Sequence, residues 1–276
     1  MFLMEEFDKS LLKKLYIPFP NSHKGQNGKL LLIGGSELFH AASLWSLKIA
    51  SRIVDMVYYS SVLENNEIVK KAKEEFRDGI VINRNQIANY IEEADCILIG
   101  PGLPRKEGQE AGDDDTKNLT ESLLKKYYQK KWVIDGGSLQ VIRPDIIPQT
   151  AIITPHNMEF MTLFGIEATS ENTFSMSKRF RITILTKGLE DVVCSPDKCM
   201  TIKGGNAGMT KGGTGDVLAG LVASLYCKND AFLSAACASY INKKAGDELF
   251  KGVGYYFNSS DLVDEIPKAM KELLIA

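Results

Sequence analysis

Short apolar runs alternate along this chain with stretches of helical spacing, and the alternation predicts the fold. Leu30-Leu31-Leu32-Ile33 stands between Lys29 and Gly34, and such a run closed by glycine predicts a strand buried on both faces. The same reading gives strands at 56–62, 79–82, 95–99, 132–135, 151–154 and 182–188. Between them, helices are expected at about 41–54, 64–76, up to Ile91, 117–129 and 169–180, with one after residue 159. Val192–Cys194 and Met200–Ile202 read as two short antiparallel strands around a Ser195-Pro196-Asp197 turn. An N-terminal helix over 5–15 carries Phe7, Leu11, Leu12 and Leu15 on one face and is stopped by Pro18 and Pro20. Towards the C-terminus come an alanine-rich helix over 231–249 and a last helix over 259–274, opened by Ser259-Ser260-Asp261.

Strand and helix in this alternation predict an α/β fold, a largely parallel central sheet with helices on both faces. With no composition shift and no repeat, residues 1–276 are expected to form one domain. Ligands of such sheets bind beyond the carboxyl ends of the strands. Polar or glycine-rich turns fall there at 34–36, 100–102, 135–138, 154–159, 186–188 and 212–216. Their convergence is the expected site.

Composition narrows the function classes. A net charge of -2 argues against a general nucleic-acid binder and gives no basic face for a membrane. No stretch has the apolar length of a membrane span. The N-terminus has acids where a signal peptide would be basic, so a cytoplasmic location is expected. Cys96, Cys194 and Cys237 sit in apolar surroundings and read as small core residues in a reducing compartment. The three histidines are too scattered for a metal cluster. Residues 104–116, with Asp113-Asp114-Asp115, read as a mobile surface loop bearing a solvated charge run.

The chemistry concentrates in Gly212-Gly213-Thr214-Gly215-Asp216, followed at once by Val217, Leu218, Leu221, Val222 and Leu225 at helical spacing. Glycines at a helix start let several N–H groups point at one spot, and the helix dipole favours an anion there. A phosphate fits. A carboxylate beside a phosphate is repelled, unless it takes a proton from a hydroxyl attacking that phosphate. The plainer alternative makes Thr214 a cap and Asp216 a first-turn acid.

These residues resemble the ADP/ATP-dependent NAD(P)H-hydrate dehydratases of the ribokinase-like superfamily. The resemblance runs through His23-Lys24-Gly25, Gly34-Gly35-Ser36, Ile99–Leu103, Asp135, Thr154-Pro155-His156 with Glu159, Lys187-Gly188, and Asn206 to Gly220. It covers nearly everything from 22 to 270 and corresponds to the stand-alone form, without an epimerase domain. It implies that Asp216 is the base and that Gly213, Thr214 and Gly215 give N–H groups to the transferring phosphoryl. Lys187, Gly188 and Asn206 would hold the nucleotide. Ala42, Gly102 and His156, with Asp216, would meet the hydrate. ADP or ATP as co-substrate, Mg²⁺, small-molecule substrates and a homo-oligomer, commonly a tetramer, are implied in the same way.

The chain departs from the family pattern at Leu38–Ser43 with Trp45, at Ser51–Asp55, and at Asp135-Gly136-Gly137-Ser138. All three crowd the nicotinamide side. A small-molecule kinase of the same superfamily, phosphorylating a hydroxymethyl vitamin precursor, would use Asp216 identically. A non-catalytic nucleotide-binding homologue would not need the acid.

Overall fold

The computed structural model describes residues 4–105 and 110–275. Its strands are β1 (Met4–Glu6), β2 (Lys29–Ile33), β3 (Met56–Ser61), β4 (Ile80–Asn83), β5 (Cys96–Ile99), β6 (Lys131–Ile134), β7 (Ala151–Ile153), β8 (Thr183–Thr186), β9 (Asp191–Cys194) and β10 (Cys199–Ile202). They form one sheet in the order β1-β10-β9-β8-β7-β6-β5-β2-β3-β4. From β4 across to β8 every pairing is parallel; β9 and β10 turn antiparallel, and β1 lies parallel to β10.

Alternation along the strands divides the interior into two cores. Leu30, Leu32, Tyr59, Leu98, Val133 and Leu185 point to one face, covered by α1 (Ala41–Ala50), α8 (Thr214–Tyr226), α9 (Ala231–Val253) and α10 (Ser259–Leu274). Leu31, Ile33, Tyr58, Ile99, Trp132 and Ile153 point to the other, covered by α3 (Ile87–Ile91), α4 (Thr116–Lys126), α5 (Gly136–Val141), α6 (Asn157–Phe164) and α7 (Ser170–Phe180). The remaining helix, α2 (Leu63–Phe76), packs near the β3–β4 edge.

The chain runs from β2 outwards to β4, then returns to lay β5 on the other side of β2. Strand order therefore reverses between β2 and β5, where α/β sheets open a crevice. The expected turn at 34–36 serves that crevice indirectly. Gly35 N–H donates to the Pro101 carbonyl at 2.8 Å, so this turn braces the Pro101-Gly102 turn instead of lining the cavity.

Three expectations are corrected, and the plainer alternative for Thr214 is not borne out. Met4–Glu6 is a strand and Lys9–Lys14 a 3-10 turn, in place of a helix over 5–15. The free edge of β10 outcompetes local helical spacing here, with Phe7 N–H donating to the Thr201 carbonyl at 3.0 Å. Cys194 is not a free thiol: the hairpin register sets it opposite Cys199, and the two form a disulfide. The acidic run is not merely solvated. Asp113 accepts from Glu37 N–H at 2.8 Å, Asp114 pairs with Arg84, and Asp115 caps α4. Thr214 does not cap α8; the N-cap is Gly213, and the Thr214 hydroxyl donates to the Met209 carbonyl at 2.7 Å. The loop expectation for 104–116 falls partly outside the described residues, at 106–109, as does the signal-peptide argument at 1–3.

Candidate active site

The carboxyl ends of β6, β7 and β8 and the start of α8 bring four charged side chains together. Asp135 follows β6 and is buried; it accepts from Lys187 Nζ at 2.7 Å and from Thr154 Oγ1 at 2.8 Å. Lys187 follows β8 and is held there by its own N–H on the Pro155 carbonyl at 2.9 Å. Glu159, in the first turn of α6, stands 3.9 Å from Lys187 Nζ. Asp216, in the first turn of α8, completes the group.

Three carboxylates around one ammonium cannot all ionise freely. Burial, then the charges of Asp135 and Glu159, push Asp216 up to about 7, against the pull of Lys187. Burial likewise raises Glu159, with Lys187 opposing. For Lys187 burial works against the charge, but Asp135, Glu159 and Asp216 outweigh it and hold the ammonium above the ordinary lysine value.

Two cavities open on this cluster and share Lys187 and Gly215 in their walls. The larger, about 670 Å³, has Asp216, Trp45, Ala42, Gly102 and His156 in its lining, with Leu38 and Phe39 exposed at 54% and 45%. It is apolar and partly aromatic on one side and charged on the other. The smaller, about 370 Å³, runs from Gly215 past Gly188 and Asn206 to Asn242 and Lys243 on α9.

Gly213 has a φ of +96°, a conformation L side chains rarely adopt. Its α-carbon faces the Trp45 ring so closely that a Cβ would stand 2.2 Å from Cζ3. Ser259 Oγ fixes the preceding Gly212 carbonyl at 2.8 Å, and Ser260 Oγ accepts from Trp45 Nε1 at 3.2 Å. First-turn amides have no partner inside their own helix. Gly213 and Gly215 line the larger cavity. The Thr214 amide is engaged with the Lys211 carbonyl at 3.4 Å.

Each expected residue lines one cavity or both, yet several already have partners. The Asn206 carboxamide accepts from Gly208 N–H at 2.9 Å and donates to the Gly246 carbonyl at 2.8 Å, so it shapes the loop. Gly188 N–H is held by Asp191 Oδ1 at 3.0 Å. His156 does two things. Its Nδ1 accepts from Met158 and Glu159 N–H at 3.1 and 3.3 Å, capping α6, while the half-exposed ring lines the cavity. That bonding leaves Nδ1 without a proton and puts Nε2 3.5 Å from Glu159 Oε1.

Gln140 and Asn242 are cavity residues that sequence reasoning missed. Asp135, Glu159 and Trp45 stood out in the sequence without being given roles. A strand-end acid, a capping-box glutamate and a tryptophan where small residues were expected were the available signals. Asn242 lies inside an alanine-rich helix and gave none.

The family model described as NAD(P)H-hydrate dehydratase matches residues 30–268. The chain belongs to the NAD(P)H-hydrate dehydratase family. It is 37% identical over 270 residues to a bifunctional NAD(P)H-hydrate repair enzyme of Methanocaldococcus jannaschii, covering 94% of this chain and 51% of that protein. The chain thus spans about half the length of the bifunctional relatives it matches. Against an ADP-dependent (S)-NAD(P)H-hydrate dehydratase of Nitrosopumilus maritimus it is 33% identical over 285 residues, covering 94% and 95% of the two chains. Its fold is that of an ADP/ATP-dependent NAD(P)H-hydrate dehydratase of Bacillus subtilis, co-crystallised with ATP and Mg²⁺, at a TM-score of 0.81, 22% identity and coverage of 98% and 99%. A ribokinase-like protein of Enterococcus faecalis superposes at 0.83, with 24% identity and coverage of 98% and 96%. The chain therefore shares the fold of these structures over 98% of its length.

Proposed function

We propose that this chain is a nucleotide-dependent NAD(P)H-hydrate dehydratase, a carbon–oxygen lyase that returns hydrated NADH or NADPH to the dihydronicotinamide form. One observation carries the reading beyond family membership: the two cavities meet at Gly215, with Asp216 lining the acceptor side of that junction. A nucleotide in the smaller cavity would present its terminal phosphate to a hydroxyl in the larger one. Leu38, Phe39 and Trp45 offer a flat ring apolar faces, while the charged wall receives its hydroxyl.

In this mechanism the Asp216 carboxylate takes the proton of the ring hydroxyl as that oxygen bonds to the terminal phosphorus. The bond from phosphorus to the nucleotide's bridging oxygen breaks, and the shortened nucleotide leaves. Phosphate then departs with the ring oxygen, the C–O bond breaks, and loss of a ring proton restores the double bond. Hydroxide leaves poorly; phosphate leaves well. The Gly213 and Gly215 amides are fixed dipoles for the charge that builds on the phosphoryl oxygens. A base with a pKa near neutrality suits the proton transfer.

Lys187 enters this reading differently from the sequence expectation. Its ammonium is paired with Asp135, so it lowers the negative charge the phosphates must face, in addition to bordering them. Mg²⁺ would travel on phosphate oxygens and water. That fits the donor set: among the described residues no three His, Cys, Asp or Glu side chains are grouped for a metal. Of the carboxylates in the cluster, Asp135 and Glu159 face Lys187, and Asp216 is given to the proton transfer. The ion would neutralise phosphate charge.

The test is direct. Hydrated NADH is mixed with the protein and ADP, with ATP in parallel, and dihydronicotinamide absorbance is followed. Recovery that requires nucleotide supports the dehydratase; a stable phosphate ester with no recovery would make the chain a small-molecule kinase. Light scattering would test the homo-oligomer, a tetramer in this reading.

A further inference from the structure

One side chain in the wall of the nucleotide-side cavity carries a buried polar atom that no described residue satisfies. Asn242, on α9, is 4% exposed and lines this cavity but not the acceptor cavity. Its Oδ1 is buried with no hydrogen-bond partner. Buried side-chain oxygens nearly always accept a hydrogen bond, and leaving one unmet is costly.

Its neighbours differ. Lys243 Nζ, next along α9, donates to the Gly188 and Leu189 carbonyls at 3.3 and 3.1 Å and pairs with Asp191 at 3.3 Å. Asp191 also accepts from Ser239 Oγ at 2.7 Å. That network fixes the turn after β8, while the Asn242 Oδ1 beside it is buried without a partner. The surrounding wall is apolar, with Leu189, Met209 and Leu218 offering faces to a planar group. The anion-binding amides lie at the other end, by Gly215.

We infer that Asn242 reads the nucleoside of the phosphoryl donor, its Oδ1 accepting a hydrogen bond from that moiety. The inference rests on the nucleotide reading of this cavity. The chemistry required is a neutral donor on the nucleoside, which adenosine 5′-diphosphate carries in three places: the 6-amino group of the base and the ribose 2′- and 3′-hydroxyls. Phosphates at neutral pH offer only acceptors. The residue thus sets which nucleotide is used and takes no part in the transfer.

Calorimetry with ADP, IDP, 2′-deoxy-ADP and 3′-deoxy-ADP, without any hydrate, tests this. IDP lacks the 6-amino donor and the two deoxy nucleotides lack one hydroxyl each. The parent protein should bind one of the three analogues about tenfold more weakly than ADP, the usual scale for one buried hydrogen bond. Asn242→Leu, close in size but without the acceptor, should weaken ADP similarly and erase the discrimination; Asn242→Ala takes its place if the leucine variant does not fold. The inference falls if the parent binds all four within a factor of about two, or if the variant still discriminates, since either leaves no hydrogen bond for Oδ1 to make. Absence of binding by every nucleotide would overturn the nucleotide reading and this inference with it. Nucleotide binding with no action on hydrated NADH would overturn only the acceptor assignment.

Discussion

Asp216 combines two facts that pull apart in ordinary proteins: it sits at a helix start, where a carboxylate is favoured, and its pKa is pushed up to about 7. Burial and two neighbouring acids outweigh the dipole. As a base it must lose its proton before it can act, so kcat/KM should rise with pH through about 7. Stability should move the other way. Between the ordinary value of 3.8 and about 7 the unfolded chain is ionised here while the folded one keeps its proton, so folding weakens across that window as pH rises. Asp216→Asn should lower turnover by roughly 10²–10⁴ and leave nucleotide affinity equal or tighter. At pH 8 it should melt higher than the parent, a difference that closes towards pH 4. Turnover within about threefold of the parent would end the proposal that Asp216 is the base. Lys187 is the counterpart. Lys187→Ala strands Asp135, which is 2% exposed, and losing one partner of a buried pair costs about 3–5 kcal/mol. The variant should melt lower and bind nucleotide more weakly; an unchanged melting curve would mean that the pair does not support the fold.

Among the elements, α1, α8 and α10 are locked together at the start of α8, beside Asp216. Gly220 lets α1 approach so closely that a Cβ there would stand 2.8 Å from the Ser46 carbonyl oxygen, and Ser46 Oγ then reaches the Asp216 carbonyl at 2.7 Å. Trp45 lies on Gly213 from the same helix. Gly213→Ala would meet both a positive φ and the indole ring. It should reduce turnover by at least the roughly 10² lost with one oxyanion-type donor, with nucleotide affinity less affected. Kinetics and calorimetry on the same preparation separate the two effects, and turnover equal to the parent's would remove the Gly213 amide from the mechanism. Helical periodicity in the sequence predicted α8 well. It could not predict which helices would clamp its start, because that depends on where the sheet places α1 and α10.

For the whole molecule, the ten-stranded sheet is closed at one edge by β1, whose side chains are half-buried or exposed. What anchors this segment follows it: the Phe7 ring stacks on Tyr240 of α9 with centroids 4.4 Å apart. Phe7→Ala should cost about 1–2 kcal/mol, from the lost ring pair and apolar burial, while nucleotide affinity stays within error, because Phe7 lines neither cavity. Denaturant unfolding and calorimetry check the two halves. A loss of nucleotide affinity matching the loss of stability would tie the edge to the site.

The sequence by itself determined nine of the ten strands, most of the helices, the parallel sheet and the glycine-rich start of α8. Each is written in local periodicity and in residues whose backbone preferences are their own. It also singled out Asp216, because an acid among the glycines of a helix start is chemically conspicuous. Tertiary structure decided the rest. Met4–Glu6 became a strand because an unpaired edge was waiting for it. Cys194 met Cys199 because a hairpin register set them opposite. Lys187 was turned onto Asp135, whose own strand lies two places away in the sheet, with Glu159 nearby. That cluster sets the protonation of Asp216, since pKa values depend on burial and on charges brought near by folding, which no spacing along the chain records.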